Sequence, residues 1–183
     1  MEKLEKLGRR ICILGPSSSG KSTLANALSK KLNVEFFHLD LCAHLENTDW
    51  VRKPDDIFLK DHNEIIAKEN WIIDGNYRVS MPQRMARATG VIWLDFNVWC
   101  CVWRYVKRCY SKNQGRYGSL SGASREFNWN LIKFTIYNYP KNRLRYQEIL
   151  QDKKYPVLKI KNLKELNQYY DYWKLDKDII RNR

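Results

Sequence analysis

A glycine-rich segment near the N-terminus has the composition of a phosphate-binding loop. Residues 15–22 read Gly-Pro-Ser-Ser-Ser-Gly-Lys-Ser and match the pattern G-x-x-x-x-G-K-[ST] between an apolar run and a helical pattern. Glycines let the backbone curl so that successive N–H groups face one anion. We predict that this loop binds Mg-ATP through Gly15, Pro16, Ser17, Ser18, Ser19, Gly20, Lys21, Ser22 and Thr23. Lys21 is expected on the β- and γ-phosphates and Ser22 on the magnesium ion.

Two aspartates follow apolar runs that have the character of buried strands. Asp74 ends the run 71–73, and Asp40 follows the run 34–39. Parallel sheets bind their ligands at the carboxyl ends of their strands. We predict that Asp74 holds a magnesium-bound water and that Asp40 orients or deprotonates an acceptor hydroxyl. The alternatives are a turn-forming role for Asp74 and a helix-capping role for Asp40.

Two arginines are spaced so that they share one face of a predicted helix. Arg104 and Arg108 are four residues apart, immediately before a polar segment. Phosphoryl transfer requires neutralisation of the charge that moves with the γ-phosphate. We predict that this pair clamps the ATP phosphates during catalysis; the alternative is a solvated basic face.

The elements that must position these residues alternate between apolar runs and helical patterns. Strands are predicted at residues 10–14, 34–39, 71–73, 91–94 and 155–160. Helices are predicted from Ser22, from Ile57 to Glu69 and from Asn97 to Tyr110. Continuous apolar strands separated by helices are typical of a parallel sheet covered on both faces. The sequence therefore predicts an α/β fold, with one domain over residues 1–183.

The remaining segments give weaker signals. Residues 111–126 are rich in Ser, Gly, Lys and Arg, and we predict a surface lid there. Helical character resumes from Phe127 to Leu150, and Pro140 is expected to end or kink that helix. The tryptophans at 93, 99, 103 and 129 are interpreted as core or helix-packing residues rather than base-stacking ones.

Composition limits the classes of protein that fit. The formal charge of +13 attracts polyanions, so nucleic acid is a possible partner that we do not favour over nucleotides. The five cysteines are odd in number and include no C-x-x-C pair, which disfavours a disulfide framework or a zinc site. Without a signal peptide or an apolar span, we expect a cytoplasmic monomer or homodimer that does not associate with membranes.

Several segments resemble known families. Residues 72–78 are similar to the D-G-F-P-R segment of adenylate kinases, whose arginine binds the acceptor phosphate. More closely, the chain resembles the bacterial DNA topology modulation proteins, a P-loop family similar to adenylate and shikimate kinases. That resemblance rests on His38-Leu-Asp40 and on residues 71–77, 91–96, 103–108 and 126–139.

The resemblance implies a P-loop NTPase three-layer sandwich with strand order 2-3-1-4-5 and a lid over ATP. It implies an acceptor-binding arginine, for which Arg78 and Arg84 are rivals. The chain departs from the family at residues 41–44 and at Phe134, which affects the expected acceptor pocket. We expect a phosphotransferase that moves the γ-phosphate of Mg-ATP to a small molecule or nucleotide. The alternative is an ATP-binding regulator that contacts DNA.

Overall fold

The computed structural model describes residues 1–110, 127–151 and 155–176, so the predicted lid at 111–126 lies outside the described residues. A short 3-10 helix at Leu4–Leu7 precedes the first strand. The strands are β1 (Arg10–Leu14), β2 (Phe36–His38), β3 (Trp71–Asp74), β4 (Gly90–Leu94) and β5 (Val157–Ile160). The helices are α1 (Lys21–Leu32), α2 (Leu39–Cys42), α3 (Asp55–Ala67), α4 (Met81–Arg87), α5 (Val98–Cys109), α6 (Trp129–Gln151) and α7 (Leu163–Tyr172).

The five strands form one parallel sheet in the order β2-β3-β1-β4-β5, which confirms the predicted fold class. Strand β1 is central, so the loop that follows it lies between the ends of β3 and β4. The register pairs Ile13 with Asp74 on one side and with Ile92 on the other. The glycine-rich loop therefore starts at the carboxyl edge of the sheet, where parallel sheets bind ligands.

The sheet separates two hydrophobic cores. Ile11 and Ile13 face the first core with residues of α1 and α7, whereas Cys12 and Leu14 face the second core with residues of α3, α4 and α6. Side chains alternate between the faces of a strand, so a strand covered on both sides needs apolar residues at every position. This is why the strand segments appear in the sequence as unbroken apolar runs.

Several predicted boundaries were wrong. The second strand ends at His38, and Asp40 lies in the short helix α2 instead of closing the strand. Of the two outcomes expected at Pro140, an end or a kink of the helix, the end is wrong, because α6 runs from Trp129 to Gln151. Pro140 is exposed, and the buried Tyr139 and Tyr146 anchor the helix on both sides of it. Their packing offsets the cost of a proline inside a helix, about 3 kcal/mol.

Of the four tryptophans interpreted as core or helix-packing residues, three are exposed and therefore do not belong to the core. Trp93 is buried in β4, but Trp99, Trp103 and Trp129 have 66%, 67% and 64% of their surface exposed. Helix α5 buries Cys101 and Tyr105, four residues apart, and Trp99 and Trp103 lie on its other side. Within the described ranges, no helix is both long and apolar enough to cross a lipid bilayer.

Candidate nucleotide and acceptor site

The loop between β1 and α1 has the backbone conformation that its glycines permit. Gly15 and Gly20 have φ angles of 149° and 104°, and a Cβ atom on Gly15 would lie 2.7 Å from the carbonyl oxygen of Leu94. L-residues rarely adopt such angles, and a side chain at position 15 would collide with β4. Ser19 N–H donates to Pro16 O at 3.3 Å, closing a turn just before α1.

The loop presents hydrogen-bond donors that have no protein acceptor. Among the described residues, the amides of Ser17, Ser18 and residues 20–23 bond to no protein group. The hydroxyl oxygens of Ser18, Ser19 and Thr23 are buried and also lack a partner. Because unpaired buried donors are costly, this concentration at the N-terminus of α1 fits a bound anion.

Lys21 contributes the positive charge at the centre of the loop. Its Nζ donates to Pro16 O at 2.8 Å, and it forms no ion pair with any described carboxylate. Burial lowers the pKa of Lys21, whereas the carboxylates of Asp74 and Asp40 raise it. These two aspartates therefore lie within electrostatic range of the loop lysine.

Asp74 lies beside β2 at the end of β3. His38 is its direct neighbour across the sheet, and His38 Nδ1 lies 2.6 Å from Asp74 Oδ1 in a buried contact. Ser22 occupies the first turn of α1 and is partly exposed. Hydroxyl and carboxylate oxygens are the ligands that magnesium prefers, so Ser22 and Asp74 fit the metal expected with ATP.

Asp40 is exposed in the first turn of α2 and has two anchoring contacts. The Tyr77 hydroxyl donates to Asp40 Oδ1 at 3.0 Å, and His44 Nδ1 lies 2.7 Å from the Asp40 carbonyl oxygen. Burial raises the pKa of Tyr77, and the Asp40 carboxylate raises it further. Tyr77 therefore remains a protonated donor at neutral pH and orients the Asp40 carboxylate.

Asn76 is a site residue that the sequence analysis did not single out. Its Nδ2 donates to Gly15 O at 2.6 Å, and its Oδ1 accepts from Gly15 N–H at 3.3 Å. A single side-chain amide thus satisfies both main-chain groups at the start of the phosphate-binding loop. The only sequence signal was its position in the Asp-Gly-Asn-Tyr turn, which does not indicate a partner 61 residues away.

The arginines of α5 lie near the loop. A Cβ atom on Gly20 would lie 3.8 Å from Arg104 Nη2, and Arg104 Nη1 is buried without a partner. The charge of Arg108 contributes to the lowered pKa of Lys21, and its guanidinium lies 5.2 Å from the ring centre of Tyr105. Arg104 therefore lies near Gly20, and Arg108 lies within electrostatic range of Lys21.

The two rival acceptor arginines occupy different environments. Arg78 is exposed in the turn after β3, whereas Arg84 is fully buried on α4. Arg84 Nη2 donates to Gly75 O at 3.2 Å, so its guanidinium lies behind the turn that carries Asp74. Arg84 thus contacts this turn from the interior of the protein, whereas Arg78 belongs to the turn and is exposed to solvent.

Comparisons with solved structures identify the fold. The chain is similar to a gluconokinase from Sinorhizobium meliloti 1021, with 14% identity, a TM-score of 0.56, and coverage of 91% of this chain and 90% of that one. It is also similar to a shikimate kinase from Bacteroides thetaiotaomicron, with 18% identity, a TM-score of 0.53, and coverage of 90% and 98%. No protein-family model and no curated protein matches the sequence. The chain thus shares the fold of these two kinases, and the resemblance to the DNA topology modulation proteins stays a prediction.

Proposed function

We propose that this protein is a phosphotransferase that moves the γ-phosphate of Mg-ATP to a small molecule or nucleotide. The observation that carries the proposal is the set of unpaired amides and hydroxyls around Lys21, within range of Asp74 and Asp40. The P-loop kinase fold supports this assignment, because in that fold the loop after the first strand binds phosphate.

The nucleotide side of the reaction is assigned to the loop and to α5. Lys21 binds the β- and γ-phosphates, and Arg104 and Arg108 neutralise charge on the γ-phosphate as it moves. Ser22 and Asp74 would hold the magnesium ion, Asp74 through a water, and the chemistry supplied by the ion would be charge neutralisation on the phosphates. Electrostatic stabilisation of this kind is the main catalytic task in phosphoryl transfer, since little covalent chemistry is required of the protein.

The acceptor side is assigned to Asp40 and one arginine. The Asp40 carboxylate orients the acceptor hydroxyl and takes its proton, and Tyr77 holds that carboxylate in place. Arg78 or Arg84 binds an anionic group of the acceptor. An exposed carboxylate with one committed oxygen retains acceptor capacity for a substrate hydroxyl.

A transfer assay tests the proposal. Purified protein is incubated with ATP labelled at the γ-phosphate, magnesium and a panel of nucleotides, sugars and small alcohols, and labelled products are separated. We expect one class of acceptor to be phosphorylated, by the native protein and not by Lys21→Ala. Asp40→Asn should bind Mg-ATP as the native protein does and lose most of the transfer. Absence of any labelled acceptor across the panel would refute the kinase assignment.

An ATP-binding regulator that contacts DNA is the second candidate, and one observation favours it. Helices α5 and α6 carry seven basic residues against one acidic residue, Glu148. The two helices also expose five aromatic side chains, at 99, 103, 129, 134 and 137, and Tyr110 at the C-cap of α5 is exposed as well. Aromatic rings and cations together are typical of surfaces that bind single-stranded nucleic acid.

Fluorescence anisotropy with labelled single- and double-stranded DNA at physiological salt distinguishes this candidate. A regulator should bind with an affinity that changes when Mg-ATP is added and that falls in Trp103→Ala. Trp93→Phe, which replaces a buried tryptophan in β4, serves as the control for replacing a tryptophan away from this surface. If the anisotropy does not change at physiological salt, the second candidate is rejected.

The state of the cysteines bears on where the activity takes place. All five cysteines are free thiols, and Cys12 and Cys101 are buried. Free thiols are typical of a reducing compartment. We therefore propose that the protein acts in the cytoplasm; the expectation of a monomer or a homodimer stays a prediction.

A further inference from the structure

His38 and Asp74 form a buried pair at the point where β2 and β3 end. They are the last residues of the two strands and lie opposite each other in the sheet. They are 7% and 4% exposed, and His38 Nδ1 lies 2.6 Å from Asp74 Oδ1. Because an ionised carboxylate offers acceptors only, the ring proton is on Nδ1 and donates to Asp74. Such a short, charge-assisted hydrogen bond fixes the orientation of both side chains.

This side-chain pair is not needed to join the two strands. The main chain already pairs Phe36 with Ile72, and Ile72 N–H donates to Glu35 O at 2.9 Å. The ring of His38 also packs edge-on against Phe36, with 5.0 Å between the ring centres. An apolar side chain at position 38 could supply that packing equally well. The hydrogen bond to Asp74 therefore requires a role other than strand pairing.

A histidine at position 38 also brings a disadvantage that an apolar residue would not. Its second ring nitrogen, Nε2, is buried and has no partner among the described residues. A buried polar atom without a hydrogen bond is destabilising, because it has lost water and gained nothing in exchange. The contact between Nδ1 and Asp74 is thus the feature that favours a histidine here.

Two cations lie within electrostatic range of Asp74 without holding its carboxylate directly. Burial lowers the pKa of Lys21 and of Arg84, and the charge of Asp74 is among the effects that raise both. Neither cation forms an ion pair with Asp74 in the described part of the chain. Within those same ranges the side-chain hydrogen bond to Asp74 comes from His38 and engages Oδ1. Its other oxygen, Oδ2, therefore keeps lone pairs for a further ligand.

We propose that His38 is a positioning residue, which holds Asp74 by Oδ1 so that Oδ2 is presented to the water of the magnesium ion that accompanies ATP. The inference rests on the proposed function and adds a residue that acts on the metal through Asp74. Hydrogen-bond partners of metal-binding side chains typically change metal affinity by about 10- to 100-fold when they are replaced. A donor at position 38 should therefore determine how much magnesium strengthens the binding of ATP.

Calorimetric titrations with Mg-ATP and with ATP in EDTA test this role without any transfer. The magnesium gain is defined as Kd for ATP in EDTA divided by Kd for Mg-ATP. We expect His38→Leu, which has no donor, to lower the magnesium gain by at least about tenfold. Its affinity for metal-free ATP should stay close to the native value, because the phosphates are assigned to the loop. A purely structural role of His38 would instead weaken both ligands together.

Two polar variants keep the test decisive if His38→Leu does not fold. The amide NH2 of His38→Asn lies close to the position of Nδ1 and can donate to Asp74, so most of the magnesium gain should be retained. His38→Gln carries its amide one carbon further out, near the position of Nε2, and should lose the gain. His62→Leu replaces a fully buried histidine that has no carboxylate partner in the described ranges, and it should leave the gain unchanged. Equal gains in His38→Asn and His38→Gln would overturn the inference.

A cycle with Asp74→Asn shows whether His38 acts through that carboxylate. Asp74→Asn should itself have a small magnesium gain, and adding His38→Leu should reduce it no further. Independent losses, or a native gain close to one, would reject the role of His38. A phosphorylated acceptor together with a native-like gain in His38→Leu rejects this inference alone. A gain that depends on His38 in a protein that phosphorylates no acceptor retains the inference and rejects the kinase.

Discussion

The ammonium group of Lys21 donates to a single carbonyl oxygen, Pro16 O, which a phosphate can replace. We predict that Lys21→Ala removes the thermal stabilisation by Mg-ATP. At a ligand concentration one hundred times Kd, the native protein should gain about 2.7 kcal/mol, seen as a rise in Tm. The variant should show almost no rise, because the charge that holds the β- and γ-phosphates is absent. Lys31→Ala, at an exposed position on the same helix, serves as the control. An unchanged Mg-ATP shift in Lys21→Ala would contradict the assignment of the loop.

His62 gives the protein a specific dependence of stability on pH. Its pKa is lowered from 6.5 to about 4 by burial and by the charge of Arg84. Between these pH values the unfolded chain binds a proton at His62 that the folded chain does not. The contribution of the neutral His62 to stability is therefore complete above pH 6.5 and is lost as the pH falls toward 4. From pH 7 to pH 5 this single group should lower the free energy of unfolding by about 2 kcal/mol.

Urea unfolding at pH 7, 6 and 5 measures the contribution of His62. In His62→Gln the position cannot titrate, so the decline from pH 7 to pH 5 should be smaller by about 2 kcal/mol than in the native protein. His44→Gln, which changes a partly exposed histidine outside the second core, is the matched control. If the free energy of unfolding declines equally with pH in the native protein and in His62→Gln, His62 is not buried in its neutral form.

The turn after β3 links three parts of the candidate site through consecutive side chains. Asp74 contacts His38 on β2, Asn76 binds both main-chain groups of Gly15, and Tyr77 donates to Asp40 on α2. Gly75 has a φ angle of 125°, and a Cβ atom there would lie 2.8 Å from Leu39 Cβ. A glycine is required for the turn to pack this closely against Leu39. The turn thereby connects the glycine-rich loop to α2, which carries Asp40.

Replacing Asn76 by aspartate tests that coupling. A carboxylate cannot donate to Gly15 O, and it brings a negative charge to the loop that we propose as the phosphate site. We predict that Asn76→Asp raises KM for Mg-ATP about tenfold or more, equivalent to at least about 1.4 kcal/mol. Thermal shift titrations with Mg-ATP measure the same loss without an acceptor. Asn138→Asp makes the same chemical change at an exposed position on α6 and should leave the affinity unchanged. Equal affinities for the two variants would exclude a positioning role for Asn76.

Elements that depend on local sequence were the ones that could be predicted. The central strands are buried on both faces, so their unbroken apolar runs identified them, and the glycine pattern identified the loop. The partners of Asn76 and the burial of Arg84 could not be predicted, because both depend on contacts between segments far apart in the chain. The residues around Arg84 in the sequence give no sign that its guanidinium is buried inside the protein, because arginine side chains are mostly exposed. The outward orientation of Trp99 and Trp103 likewise follows from how α5 packs.

At the scale of the whole molecule, Asp95 joins β4, β5 and α6. Its side chain is 2% exposed and pairs with Arg143 Nε at 2.8 Å and Lys159 Nζ at 3.0 Å. The Tyr139 hydroxyl donates to Asp95 Oδ1 at 3.4 Å and accepts from Trp93 Nε1 at 3.1 Å. These contacts connect the sheet to the long helix next to the strand end that touches Gly15.

Asp95 should therefore contribute more to stability than either of its cationic partners. Asp95→Asn removes the charge shared by two cations at a buried position, which we expect to lower the free energy of unfolding by about 3 kcal/mol. Arg143→Ala should cost at most about 1 kcal/mol, because the arginine side chain is 53% exposed and Lys159 still pairs with the carboxylate. Urea unfolding of both variants at pH 7 measures the difference. The physical reason for the asymmetry is that Asp95→Asn replaces the acceptor of two cations and of the Tyr139 hydroxyl by an amide whose NH2 group is itself a donor, whereas Arg143→Ala leaves the carboxylate paired with Lys159. Equal losses for the two variants would mean that Asp95 is accessible to water, and that the end of β4 is held next to the loop by packing alone.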